Sequence, residues 1–162
     1  MSSARLAAYL RGGVAPGGKI THVGARDATL PMRSMPITLP GTVFFAGESR
    51  VWGGGRAYYD PTIPGSTPAR AYLITAEQFD DVRAQEPPVY DRILELGVHD
   101  GIRMLTFSSE LGRSSAALNP PSQPYLETIA TGIREAHGWD TATIQHYFDG
   151  VTKACSGGEE LR

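Results

Sequence analysis

The chain predicts an α+β fold with a mixed, barrel-like sheet. Three features carry that expectation: short β-rich runs crowd the first half, one capped helix interrupts them, and amphipathic helical patterns close the chain. At 162 residues, 41% of them hydrophobic, the chain suits a single domain with its own core. That domain is expected over residues 1–155, with a disordered tail over residues 156–162. The 19 glycines and 12 prolines favour short strands and turns over a helical bundle.

The elements follow in order. Ser3 and the run Ala-Arg-Leu-Ala-Ala-Tyr-Leu-Arg11 read as a short helix with a serine cap, ended by Gly12-Gly13. Residues 12–18 form a Gly/Pro loop. Residues 20–23, 34–39 and 42–48 read as strands; the last carries Val43, Phe44 and Phe45, and Pro36 places the middle one at an edge. Residues 56–60 and 69–75 flank Pro61-Thr-Ile-Pro-Gly65 as a hairpin. Thr75-Ala-Glu-Gln78 is a capping-box pattern that opens a helix running to Glu86, where Pro87-Pro88 stops it. Residues 102–107 are a strand and residues 108–121 a loop. Ser122 caps a helix with Leu126, Ile129 and Ile133 on one face, ending at His137-Gly138. A last helix over residues 141–148 buries Ile144 and Phe148.

Charge and composition narrow the function. With 15 basic and 17 acidic residues scattered along the chain, the formal charge of −2 argues against nucleic acid and for a small-molecule or protein partner. The absence of a long apolar run argues against a signal peptide or a membrane span, so a cytoplasmic protein is expected. Cys155, the single cysteine, leaves no disulfide within the chain and no Cys-based zinc site.

Two pieces carry candidate chemistry. Gly53, Gly54 and Gly55 remove every Cβ from one turn, so its N–H groups can approach a ligand or another strand. Glu86 shares a helix face with Phe79 and Val82, where lost solvation suits a carboxylate to proton transfer. Both have plainer readings that stay open. Glu86 also fits a solvated helix end, the glycines fit a tight turn or bulge, Trp52 fits a core or rim aromatic, and Tyr125 fits a first-turn packing residue.

Several pieces together resemble the gamma-glutamylcyclotransferase-like family of small mixed barrels with a central cavity. They are Trp52-Gly-Gly-Gly-Arg-Ala57, Ala69-Arg-Ala-Tyr-Leu73, the helix from Gln78 to Gln85-Glu86, and Pro121-Ser-Gln-Pro-Tyr125 with Ile129 and Gly132. The family's opening Tyr-Gly-Ser-Asn strand has no counterpart here, and the expectation is that Met1 is internal to a longer natural protein. The resemblance implies intramolecular aminolysis of a gamma-glutamyl amide, releasing 5-oxoproline and an amine. It implies Glu86 as the general acid and base, Gly53, Gly54 and Tyr125 as substrate contacts, and neither metal nor cofactor. A non-catalytic binding module that keeps the barrel is the alternative.

A zinc deacetylase is the competing class. It requires His and Asp ligands around an open metal position and a His base. His22, His99, His137 and His146 show no paired ligand spacing, and the sequence reading sets that class aside. No Gly-x-Ser-x-Gly surrounds Ser108-Ser109 or Ser114-Ser115, which removes a serine hydrolase as well.

Overall fold

In the computed structural model, which describes residues 1–156, the chain opens with helix α1 (Ser3–Arg11), β1 (Gly13–Val14) and β2 (Thr21–His22). There follow β3 (Ser34–Pro40), β4 (Thr42–Ala46), β5 (Arg56–Asp60), β6 (Ser66–Tyr72) and helix α2 (Ala76–Ala84). The chain closes with β7 (Arg92–His99), β8 (Ile102–Ser108), α3 (Gln123–His137) and α4 (Thr141–Ser156). The expected disordered tail falls on residues 157–162, outside the described residues, while Ser156 ends α4.

The fold is mixed α+β, but the barrel expectation needs correction. The strands pair as four separate two-stranded antiparallel ladders, and no closed barrel forms among the described residues. Pairing explains why. β3 pairs with β6 and β4 with β5, so residues 34–46 and 56–72 make one long ribbon, bent at Gly41 and across Pro61–Gly65, with residues 47–55 at its tip. The expected hairpin of β5 with β6 is therefore a bend in one arm of that ribbon. Each arm is consumed by the other, and β5 is hydrogen-bonded to β8 through a side chain: Ser108 Oγ accepts from Tyr59 N at 3.2 Å and donates to Tyr59 O at 2.7 Å.

Local signals set the helices. Ser2, one residue before the expected cap, accepts Arg5 N through Oγ at 3.3 Å and starts α1. Thr75 and Gln78 close the capping box of α2 in both directions. Ser122 caps α3, and Gly138 ends it in the left-handed conformation. α4 runs past the expected stop because Val151 extends its buried stripe of Ile144 and Phe148.

β4 is buried on both faces, since Phe44 and Phe45 are each 1% exposed and point opposite ways. Phe45 joins Tyr125, Ile133, Ile144 and Phe148 beneath α3 and α4. Phe44 joins Tyr58 and Ala46, with Val89 and Tyr90 against them. Leu6, Tyr9 and Leu10 of α1 meet Val82 of α2 in a third cluster.

Candidate functional site

A cavity of about 260 Å³ lies between the ribbon, α1, α3 and α4. Its wall is apolar and aromatic, including Val43, Phe45, Tyr90, Tyr125, Ile129 and Phe148, and it is broken by the charged side chains of Arg5, Arg70 and Glu86.

Helix α1 supplies one charged side. Arg5 and Tyr9 lie one turn apart, so their side chains share a face. Arg5 Nη2 donates to the Tyr9 hydroxyl at 3.4 Å, and that hydroxyl donates to Glu86 Oε1 at 2.5 Å. The hydroxyl thereby links a guanidinium to a carboxylate that lies 77 positions beyond Tyr9. Burial raises the Tyr9 pKa, which keeps the phenol in its donating form. Burial alone would lower the pKa of Arg5, but Tyr9, Tyr125 and Glu86 raise it above the ordinary guanidinium value, and its charge persists.

Glu86 stands just past α2, with its N–H on Arg83 O at 3.0 Å. The preceding residue fixes its place. Gln85 Nε2 donates to Tyr9 O at 3.0 Å and Asp81 O at 3.1 Å, tying α1 to the end of α2. Glu86 Oε2 has no protein hydrogen bond among the described residues.

Tyr125 is buried at the start of α3, stacked on Trp52 with ring centres 5.6 Å apart and planes 14° apart. Trp52 in turn lies 5.7 Å below the Arg5 guanidinium. The structure thus brings Glu86 and Tyr125 to one cavity and adds Arg5 and Tyr90 to its wall, with Tyr9 linking Arg5 to Glu86 from the α1 core; the sequence did not single these out. Arg5 and Tyr9 show an i, i+4 pattern, but nothing local connects them to Glu86.

Gly53 and Gly54 do not reach the cavity. Gly53 N donates to Ser49 O at 2.8 Å, Gly54 N to Glu48 Oε1 at 3.0 Å and Gly55 N to Pro120 O at 2.9 Å. The turn's donors serve its own chain, and the glycines let residues 119–122 pack against it. A Cβ at Gly55 would stand 2.0 Å from Asn119 O.

The chain is similar to histone deacetylase 5 of Arabidopsis thaliana, with 29% identity over 186 aligned positions that take in 90% of this chain. It spans about 28% of the length of that curated relative. No protein-family profile matches the chain, and no solved structure matches it. This overturns the gamma-glutamylcyclotransferase-like assignment, together with its transferase or lyase chemistry, the 5-oxoproline product and the barrel-retaining binding module of that family. The relative's name belongs to the deacetylase class, whose zinc chemistry the sequence reading set aside for want of ligands in this chain. Among the described residues, no group of three or more His, Cys, Asp or Glu side chains is placed to hold a metal ion, so these residues do not fit a metal centre. No helix among them is long and apolar enough to cross a membrane.

Proposed function

We propose that this chain is a ligand-binding domain of a deacetylase-type protein and not the seat of its acyl-bond chemistry. The observation that carries the reading is a cavity walled by aromatic side chains in which Arg5 and Glu86 are joined through one tyrosine hydroxyl. At about 260 Å³ it lies near the small end of ligand pockets, which run from about 300 to 1,000 Å³. A compact small molecule is the partner that fits. Glu86 Oε2 accepts a donor on that ligand, and Tyr125, held by Trp52, gives it a flat apolar contact. The formal charge of −2 supports such a partner over nucleic acid.

Ligand-observed NMR with a library of compact polar-headed compounds tests this. Binders are expected, and Glu86→Gln should weaken those with a donor by about tenfold, equivalent to about 1.4 kcal/mol. The purified chain should leave an acetyl-lysine peptide intact. Hydrolysis of that peptide, or no binder across the library, would overturn the reading.

A further inference from the structure

We propose that Arg5 is the anion-recognition residue of this cavity and that the ligand it takes is a compact carboxylate with an apolar body. The inference rests on the ligand-binding reading above and names the chemistry of that site.

The two arginines of the cavity wall differ in their partners. Arg70 is committed: it pairs with Glu135 and donates to Ser34 Oγ through Nη2 at 2.8 Å and Nε at 3.2 Å. Arg5 has no carboxylate within salt-bridge distance among the described residues. Its side chain makes one hydrogen bond there, the 3.4 Å contact to Tyr9. Its other N–H donors have no protein acceptor among the described residues, although the residue is half-buried and sits against the faces of Trp52 at 5.7 Å and Tyr9 at 5.9 Å. A half-buried guanidinium held against aromatic faces has lost part of its hydration, and an anion entering the cavity offsets that loss.

Glu86 does not fill the role. The Tyr9 hydroxyl stands between the two groups and gives its proton to the carboxylate, so Arg5 meets only the hydroxyl oxygen. Geometry favours a carboxylate over a phosphate. One flat fork resting on an indole face grips a planar carboxylate in bidentate fashion, and a monoanion suits it better than a phosphate dianion, whose second charge would stand beside Glu86. Val43, Phe45, Ile129, Ile133 and Phe148 line the same cavity and give an apolar body its contacts.

Isothermal titration with butyrate, 3-phenylpropionate, their carboxamides and inorganic phosphate tests the assignment on wild-type protein, Arg5→Gln and Arg5→Lys. Wild type should bind each carboxylate at least tenfold tighter than its amide. Arg5→Gln should bring the carboxylates down to the affinity of the amides while amide binding persists, which shows an intact cavity. Arg5→Lys keeps the charge without the fork and should lose at least threefold on carboxylates, which keeps the test decisive should Arg5→Gln fail to fold. Equal binding of acids and amides by wild type, or a carboxylate preference that survives in both variants, would overturn the anion site and leave the cavity reading standing. Tighter binding of phosphate than of either acid would overturn the carboxylate assignment. No binding by any probe would remove both.

Discussion

The ribbon tip and the cavity wall use hydrogen-bonding capacity in opposite ways. At the tip, residues 47–55, the glycine donors are consumed by the chain itself: Gly47 N meets Ala117 O and Gly55 N meets Pro120 O, both at 2.9 Å, and Ser49 N meets Gly54 O at 2.7 Å. At the wall, Arg5 keeps donors and Glu86 an oxygen without a protein partner among the described residues. A glycine-rich turn that invites a ligand reading in sequence is a packing device in space. The side-chain capacity left over belongs instead to groups that only tertiary structure assembles.

The contrast breaks most sharply at the glycines. Gly55→Ala places its Cβ 2.0 Å from Asn119 O, and Gly54→Ala places one 2.5 Å from Pro120 O at a backbone φ of 64°. Each should cost about 3 kcal/mol, and the melting temperature should fall by about 2–4 °C per kcal/mol. Gly53→Ala meets nothing within 4 Å and carries only the strain of its φ of 73°, about 1 kcal/mol. Thermal unfolding of the three variants reads the order directly. Equal losses would mean that the tip is not a packed element.

Tyr9→Phe probes the wall. It removes the hydroxyl shared by Arg5 and Glu86 and should cost about 2 kcal/mol, as expected for a hydrogen bond to charged groups. Urea unfolding measures this, and an unchanged midpoint would refute the linkage.

The smallest effect belongs to His22, whose ring centre lies 3.9 Å from that of Tyr9. Burial lowers its pKa from the ordinary 6.5, and the Arg5 charge adds to this while Glu86 and the Gln85 side chain oppose it. The unfolded chain therefore takes up the proton first as pH falls, so this contribution to stability is full above pH 6.5 and is lost as pH drops through the lowered folded value. A His22→Asn variant should show a flatter decline in melting temperature between pH 7.5 and about 5.5.

Legibility in the sequence tracked the range of each interaction. The caps at Thr75, Ser122 and Gly138 are written within four residues of what they hold, and those helix ends read correctly. Strand β7 was missed because only Leu94 along it is buried, leaving no alternation to detect. The Asp100-Gly101 turn, at φ of 50° and 76°, was its available local signal. Glu86 and Tyr125 were legible as a helix-end carboxylate and a capped-helix tyrosine, whereas Arg5 is defined by partners far along the chain. The family resemblance leaned on Trp52-Gly-Gly-Gly-Arg-Ala57, a segment whose residues answer the needs of a tight ribbon tip, and such needs recur in unrelated proteins.

The docking of residues 117–122 onto the tip also has a consequence for the order of assembly. β4 and β5 can zip as soon as residue 60 is made, since their contacts are close in sequence. The acceptors for Gly47 and Gly55 come from Ala117 and Pro120, and Asn119 N returns to Phe45 O at 3.1 Å. A chain emerging from the ribosome therefore carries an unfinished loop, with open amide groups, until about as much sequence again has followed, and closing that distant loop is the slower step.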